Sequence, residues 1–288
     1  MIIFLTISSF LAIARLIISI DDKIFYYGVT HHTSYKKALV AQNIWGKRLN
    51  PPNGIVWYIN KYIVNDSKAE SDLRAHVISY YGDDVYNNIT HRTLLIWEHV
   101  WKTYPSYQWY ARVWDDNYII KENFEEIISG KNYNDMVEYG RVGYFEGLPF
   151  IDGGASSLIS ATAVREFVNR IDECRQIIEE QVHSENKNWR ECAYYCEDPF
   201  FSLCRAKFGI TLHNILGLFH FSINRRRFME MSSQDIACHK TVKHKEYANQ
   251  TKLRSLHYVS VSEMKRIDKL WYGNNCNLYQ NSWFLYLG

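Results

Sequence analysis

Residues 109–118 read Trp-Tyr-Ala-Arg-Val-Trp-Asp-Asp-Asn-Tyr, a run of strand-forming residues that ends in two adjacent carboxylates. In an α/β fold, ligands bind where the strands end. Two neighbouring carboxylates repel each other unless a positive charge lies close to them, and hard divalent cations prefer carboxylate oxygens. The stretch therefore indicates a metal-assisted site for a phosphorylated ligand at the end of a strand. A solvated Asp-Asp-Asn turn is the alternative interpretation of the same residues.

Strand and helix signals alternate on both sides of this stretch. Apolar runs predict strands over residues 24–29, 55–59 and 109–114. A helix capped by Thr33 or Ser34 is predicted between the first two. Apolar residues at three- and four-residue steps predict further helices over residues 90–104, 121–128, 161–180 and 197–207. The alternation predicts an α/β sandwich with a mostly parallel central sheet.

The composition limits the class of protein. The chain has 288 residues, of which 47 % are hydrophobic, so it can bury a sizeable core. Aromatic residues make up 16 % of the chain, and we interpret them as core residues more than as platforms for sugars or bases. The formal net charge of +2, without a long basic tract, gives no reason to expect nucleic acid as a partner. We interpret the three arginines at 225–227 as a solvated or diphosphate-facing turn.

The first residues of the sequence predict a targeting signal. Residues 1–20 are apolar apart from one arginine and a few hydroxyl residues. This run predicts a signal peptide or signal anchor, with a buried core segment as the alternative. Glycosylation sequons begin at Asn65, Asn88 and Asn249, and the six cysteines form an even set, which agrees with the secretory pathway. The cysteine pairing cannot be deduced from the sequence.

Five short segments carry side chains and turns of the kinds that bind ligands. In chain order they are Gly-Val-Thr at 28–30, leading to Asn-Ile-Trp-Gly-Lys-Arg at 43–48; Trp-Asp-Asp-Asn at 114–117; Asp-Gly-Gly-Ala-Ser at 152–156; Cys-Glu-Asp-Pro-Phe-Phe at 196–201; and Ser-Leu-His-Tyr-Val at 255–259, followed by Met264. Together they resemble the β1,3-glycosyltransferases of glycosyltransferase family 31, over roughly residues 24–272. The core 1 β1,3-galactosyltransferases are the closest subgroup, and the fringe proteins are more distant. No single segment is specific, but their order is.

The chain departs from the family pattern at three positions within these segments. Ile44 stands where threonine is usual, and Leu256 stands where phenylalanine is usual. Trp114 stands where the family has the first of three acids. The remaining pair retains the third acid, which is the one that binds manganese in the family.

The resemblance implies a GT-A-like α/β catalytic domain over residues 22–288. Its activity would be that of an inverting, metal-dependent β1,3-glycosyltransferase. It would move a hexose, with galactose as the expected sugar, from a UDP-sugar to a hydroxyl of a glycan or glycoprotein. Departure of the diphosphate needs its charge neutralised, which a divalent metal supplies, and the attacking hydroxyl needs a base. Mn²⁺ is the implied cofactor.

The resemblance also implies roles for single residues. Asp116 and His257 would bind the metal, and an imidazole beside a carboxylate suits manganese better than calcium. Asp198 would be the catalytic base, in the first turn of a helix where the dipole favours its ionised form. The donor pocket would be lined by Thr30, Arg48, Asp115, Gly153 and Gly154.

Each of these residues has a plainer interpretation as well. His257 reads as a core or surface histidine, and His220 is a rival metal ligand. Asp198 reads as a helix cap, the glycines at 153–154 as a tight turn, and Arg48 as a solvated surface residue.

The expected location is the Golgi or ER membrane, with a single-pass type II arrangement and a lumenal catalytic domain, or secretion. The expected partners are the UDP-sugar, the acceptor and the membrane through residues 1–20, and a homodimer is left open. Two rival functions remain: a fringe-like N-acetylglucosaminyltransferase, and a non-catalytic lumenal relative that acts as a chaperone. Asp116, Asp198 and His257 favour an enzyme, whereas Trp114 leaves room for the chaperone.

Overall fold

The structure is a computed structural model. It describes residues 23–31, 34–49, 54–60, 71, 73, 76–78, 89–192, 196–219, 229–230, 241–244, 251–252 and 254–272. The apolar run at 1–20, the asparagines of the three sequons, His220, the arginines at 225–227, Cys238 and Cys276 lie outside these residues. Within the described part of the chain, no helix has both the length and the apolar character needed to cross a bilayer.

A seven-stranded sheet forms the centre of the fold. Its strands are β1 (Ile24–Val29), β2 (Val56–Asn60), β3 (His76–Ile78), β4 (Trp109–Trp114), β6 (Val137–Gly140), β9 (Ser157–Ser160) and β10 (Thr211–Asn214). Their order across the sheet is β10-β6-β9-β4-β1-β2-β3. Strand β9 is antiparallel to both of its neighbours, β4 and β6, and every other pair is parallel. Six strands therefore run in one direction, and the predicted mostly parallel sheet is confirmed.

Shorter strands pair outside this sheet. They are β5 (Tyr118–Ile119), β7 (Val142–Phe145), β8 (Leu148–Ile151), β11 (Leu218–Phe219), β12 (Met229–Glu230), β13 (Thr241–His244), β14 (Thr251–Lys252) and β15 (Ser255–Leu256). Strand β15 lies between β11 and β5, β7 and β8 form a hairpin, and β13 lies between β12 and β14. The pairing of β15 with β5 matters most for function, because it brings the late part of the chain beside the end of β4.

The helices are α1 (Tyr35–Ile44), α2 (Ile89–Thr103), α3 (Lys121–Glu125), α4 (Ala161–Asn169), α5 (Ile171–Val182), α6 (Lys187–Cys192), α7 (Glu197–Phe208) and α8 (Val261–Tyr272). The prediction of one helix over 161–180 is wrong, because the chain forms α4 and α5 with a break at Arg170. The backbone of Arg170 leaves the helical region, with φ −114° and ψ 24°. Its guanidinium binds Glu166 in α4 and Glu173 in α5, so the break itself is fixed by ion pairs.

The core lies on both faces of the sheet, which is why the central strands are apolar throughout. Ile24 and Tyr26 of β1 pack on the face that α1 and α8 cover. Phe25 and Tyr27 pack on the opposite face, against α2, α4, α5 and α7. The chain is therefore a three-layer α/β sandwich, as predicted. The largest fully buried side chains include three tryptophans and four tyrosines, so much of the aromatic content serves the core.

Two disulfides hold α7, the helix that begins with Glu197 and Asp198. Cys174 in α5 is bonded to Cys204 in α7, with the two Cα atoms 5.3 Å apart. Cys192 at the end of α6 is bonded to Cys196, the residue before α7, with a Cα separation of 5.1 Å. The start of α7 is thus fixed covalently to the preceding helix.

Candidate functional site

The two acids of the opening stretch lie at the edge where β1 and β4 end. Val29 and Trp114 are paired in register, so Thr30 and Asp115 follow them side by side. The Thr30 hydroxyl donates to Asp115 Oδ2 at 2.6 Å, and the Ser34 hydroxyl donates to the same oxygen at 2.5 Å. Ser34 is the residue before α1, but its side chain makes no capping bond to that helix, so the predicted cap at Ser34 is wrong. The Ser34 side chain holds Asp115 instead. Thr33, the other predicted cap, lies outside the described residues.

Asp115 is a buried acid with two hydroxyl donors. Burial raises the pKa of its carboxyl above the ordinary value, and the hydrogen bonds from Ser34 and Thr30 act in the opposite direction. The neighbouring carboxylate of Asp116 also raises that pKa. A buried carboxyl next to a second acid is a costly arrangement that a bound cation or a ligand hydroxyl would relieve.

Asp116 meets His257 although the two lie far apart in the chain. Leu256 of β15 pairs with Tyr118 of β5, immediately beyond the acids. The N–H of Val259 donates to the Asp116 carbonyl at 2.8 Å. As a result, His257 Nε2 lies 3.3 Å from Asp116 Oδ1, with the side chains 10 % and 19 % exposed. Both groups are therefore placed at one point that solvent can reach.

The donor set at this point fits a divalent metal of the manganese type. A cation of this type can bind both an imidazole nitrogen and a carboxylate oxygen. Metals of this kind in phosphate sites use one or two protein carboxylates and complete their shell with phosphate oxygens and water. In the described part of the chain, no group of three or more His, Cys, Asp or Glu residues is placed to hold a metal. The protein therefore offers a pair of ligands here, and a diphosphate would have to supply others.

A buried arginine joins the strand that ends in the acids to the helix that carries Asp198. Arg112 of β4 donates from Nη1 to Glu197 Oε1 at 2.7 Å and from Nη2 to Asp198 Oδ1 at 2.8 Å. The Thr93 hydroxyl donates to the second oxygen of Glu197 at 2.5 Å. The Arg112 and Glu197 side chains are only 4 % and 6 % exposed, whereas that of Asp198 is 19 % exposed. Of the two acids, only Asp198 reaches solvent appreciably.

The charges in this cluster determine each other's ionisation. Burial lowers the pKa of Arg112, but the carboxylates of Glu197 and Asp198 outweigh it, and the pKa lies above the ordinary value. Burial raises the pKa of Glu197, which the Arg112 charge opposes and the Asp198 charge reinforces. Arg112 is therefore permanently charged, and its guanidinium pairs with both carboxylates.

Gly153 lies directly against this cluster, and the cluster leaves no room for a side chain at this position. Its N–H donates to Asp198 Oδ2 at 2.8 Å, so both oxygens of Asp198 are held. A Cβ at this position would overlap Arg112 Nη2 and lie 2.6 Å from Asp198 Oδ1. Gly153 begins a short 3-10 turn, Gly153–Ala155, capped by the Asp152 side chain, which accepts from the Gly154 N–H at 3.1 Å. The absent side chain makes room for the protein's own guanidinium.

Trp114, at the place of the family's first acid, binds the same turn. Its indole N–H donates to the Gly153 carbonyl at 3.0 Å, and the Arg112 guanidinium lies 5.5 Å from its ring centroid. Trp114 thus links the cluster around Asp198 to the strand end that carries Asp115 and Asp116.

Asn117 fastens three segments of the site together. It is fully buried, and its Oδ1 accepts from the Trp114 N–H at 2.6 Å and from the Ser156 hydroxyl at 2.9 Å. Its Nδ2 donates to the Gly154 carbonyl at 2.9 Å and, more weakly, to the Leu256 carbonyl at 3.4 Å. Ser156 has a φ of 71°, an unfavourable value for a residue with a side chain. The surrounding hydrogen bonds hold it there.

Arg48 is engaged in an ion pair with α8. Its guanidinium donates to both oxygens of Asp268, at 2.8 Å for the Nη2–Oδ2 contact. The Tyr118 hydroxyl also donates to Asp268, at 2.9 Å. Arg48 therefore ties the 3-10 turn Gly46–Arg48 to α8, and its predicted role toward a diphosphate stays a prediction.

The ion pair between Arg112 and Glu197 was not predicted from the sequence. It was also not predicted that Ser34 donates a hydrogen bond to Asp115, or that Asn117 joins several segments of the site. One signal was available for Arg112. A charged residue in a strand that is otherwise buried throughout must find a buried counter-charge. The sequence does not say which of the acids supplies it.

Comparisons with known proteins add the following. No protein-family model matches the chain, and no match is found among curated proteins. Among solved structures, a mannose-1-phosphate geranyltransferase from Thermus thermophilus is similar with 11 % identity and a TM-score of 0.32, over 60 % of this chain and 67 % of that one. A glycosyltransferase involved in the glycosylation of the major capsid of PBCV-1 is similar with 13 % identity and a TM-score of 0.34, over 68 % of this chain and 84 % of that one. Membership of glycosyltransferase family 31 stays a prediction from the motifs.

Proposed function

We propose that this chain is an inverting, metal-dependent glycosyltransferase that moves a hexose from a UDP-sugar to a hydroxyl of a glycan or glycoprotein. The β1,3 linkage and galactose as the sugar rest on the motif resemblance. One observation carries the proposal. His257 and Asp116 approach within 3.3 Å at the end of a parallel strand, through a pairing between distant segments. A fold that needed His257 only as a core residue would have no reason to place it against an acid at the ligand-binding edge.

The residues divide the chemistry between them. Asp116 and His257 would hold Mn²⁺, which when bound supplies positive charge against the diphosphate leaving group. Asp115, fixed by Thr30 and Ser34, offers a carboxylate that can accept a hydrogen bond from a donor hydroxyl. Asp198 would take the proton of the acceptor hydroxyl as that oxygen attacks the anomeric carbon. Direct attack without a covalent intermediate inverts the configuration.

The proposal is tested by a panel of UDP-sugars incubated with and without Mn²⁺, with hydrolysis and transfer to simple acceptors as the readouts. We expect turnover of one donor in wild type and a loss on the order of 100-fold or more in Asp116→Ala. Asp135→Ala is a matched control, because Asp135 is an exposed acid that bonds to Asn132 and lies away from the described site. Turnover or donor binding that ignores both the metal and Asp116→Ala would refute the proposal.

Two rival functions are decided by the same panel. Preference for UDP-N-acetylglucosamine would favour a fringe-like transferase. The chaperone alternative is favoured by Trp114, whose indole binds Gly153 where the family has an acid. Absence of turnover with every donor, together with capture of a partner transferase, would favour that role.

We also propose a Golgi or ER location with the catalytic domain in the lumen, either anchored through residues 1–20 or secreted. The even set of cysteines, of which four form two disulfides, supports an oxidising compartment. A shift in electrophoretic mobility after enzymatic removal of N-glycans tests this location. Sedimentation of the purified chain tests the homodimer.

A further inference from the structure

We propose that Arg112 is a positioning residue for the transfer reaction, which orients the Asp198 carboxylate without touching the substrate. This inference rests on the proposed function, because Asp198 is the base in that proposal. It adds a role that no motif assigned, for a residue in the middle of a buried strand.

The geometry of the guanidinium carries the first step. Arg112 uses two nitrogens of its planar fork on two different acids, at 2.7 Å to Glu197 and 2.8 Å to Asp198. A planar fork fixes the angle between its partners as well as their distance. Glu197 is itself anchored by Thr93 at 2.5 Å. Arg112 therefore fixes the position of Asp198 relative to β4, the strand that is followed by Asp115 and Asp116.

The difference in exposure carries the second step. Arg112 and Glu197 are buried, and the one member of the cluster with appreciable exposure is Asp198, at 19 %. An ion pair that only stabilised the fold would not need a second carboxylate on the surface side. Gly153 completes the arrangement, since its N–H fixes the other Asp198 oxygen and its missing Cβ leaves space for the guanidinium.

A second buried arginine, in helix α7, forms an ion pair that serves only the fold. Arg205 of α7 is paired with Glu138 of β6, with Nε–Oε2 at 2.5 Å, and both side chains are fully buried. Because neither member of this pair reaches solvent, the pair provides an internal control.

The test compares two charge-matched double variants, because removing one member of a buried ion pair alone can unfold a protein. Arg112→Met with Glu197→Gln removes the fork and its buried acid, and Arg205→Met with Glu138→Gln removes the control pair. Arg112→Lys keeps the charge but loses the fork. Asp198→Asn marks the loss of the base. All four are made in the full chain and checked by thermal unfolding.

We expect the Arg112→Met, Glu197→Gln variant to lose on the order of 100-fold in kcat, because a misplaced base loses the near-attack geometry. The KM for the donor should change little, since the ligands of the donor are untouched. Arg112→Lys should recover part of the rate. The Arg205→Met, Glu138→Gln control should lose stability without a comparable loss in kcat.

A readout independent of turnover completes the test. In protein labelled with ¹³C at the aspartate carboxyls, the Asp198 resonance, identified by its absence in Asp198→Asn, should change its chemical shift in the Arg112→Met, Glu197→Gln variant, because the carboxylate loses the hydrogen bond from Arg112. An unchanged Asp198 chemical shift would overturn the inference, as would equal kinetics in the two double variants. Failure of the proposed function is distinct, because wild type itself would then show no turnover.

Discussion

Asn117→Ala tests how much the buried hydrogen bonds between the segments of the site contribute to the free energy of unfolding. The change removes three close hydrogen bonds of a fully buried amide, at 2.6 Å with the Trp114 N–H, 2.9 Å with the Ser156 hydroxyl and 2.9 Å with the Gly154 carbonyl. It leaves the buried Ser156 hydroxyl without this acceptor, in a residue whose backbone is held at a φ of 71°.

The expected magnitude follows from these contacts. Each buried polar group left without its partner costs about 1–3 kcal/mol. With two donors and one carbonyl affected, and some access for water to the carbonyl, we expect a loss of about 3–5 kcal/mol in the free energy of unfolding. This is a large part of the roughly 5–15 kcal/mol that stabilises a typical domain. The unfolding midpoint in urea should therefore fall clearly.

The assay is urea unfolding of the full chain, followed by circular dichroism and tryptophan fluorescence. Asn188→Ala is the matched control, because Asn188 is exposed and donates to Glu146 at 2.8 Å on the surface. It should lose no more than about 0.5 kcal/mol. Asn117→Asp separates the two halves of the amide, since it keeps the acceptor but turns the donor toward the Gly154 carbonyl into a second acceptor. An Asn117→Ala loss within about 1 kcal/mol of the control would refute the reasoning.

Three further predictions follow from the same structure. Gly153→Ala should lower both stability and turnover, because the new methyl group would displace the Arg112 guanidinium. Gly130→Ala is the control: a Cβ there meets nothing within 4 Å, but the φ of 69° disfavours a side chain, so it should lower stability and leave turnover unchanged. The losses in free energy of unfolding caused by Arg48→Met and Asp268→Asn should be non-additive in urea, with a coupling energy of about 1–2 kcal/mol. A rise in donor KM for Arg48→Met alone would instead place this arginine in the donor pocket. Burial lowers the pKa of His99 below the ordinary 6.5; the unfolded chain then binds more protons, so wild type should lose stability as the pH falls below 6.5. His99→Gln should lack that loss in unfolding measured between pH 7.5 and 5, and an equal fall in both proteins would contradict it.

The central half of the fold was predictable from local pattern. Strands β1 and β4 have the predicted bounds, because a run that is apolar at nearly every position can only be buried on both faces of a sheet. The other half was not predicted as strands. Residues 137–140 read Val-Glu-Tyr-Gly and residues 157–160 read Ser-Leu-Ile-Ser, and neither is a continuous apolar run. Their place is fixed by long-range pairing in which β9 enters antiparallel between β4 and β6.

The candidate site was predictable in part for a similar reason. The two acids could be located because a strand signal stops at them. The approach of His257 to Asp116 followed only from the order of the motifs, since the β15–β5 pairing leaves no local trace in so short a strand. The link from Arg112 to Glu197 spans 85 positions, and no periodicity connects residues at that distance.

The pairing of β15 with β5 has a consequence for the order of events during synthesis. Asp116 is synthesised long before His257, so a growing polypeptide can form the sheet around β1 and β4 before His257 has left the ribosome. Until residues 255–259 emerge and lie down beside Tyr118–Ile119, the acids remain without their imidazole. The approach of His257 to Asp116 is therefore completed late, when one short strand pairs with β5.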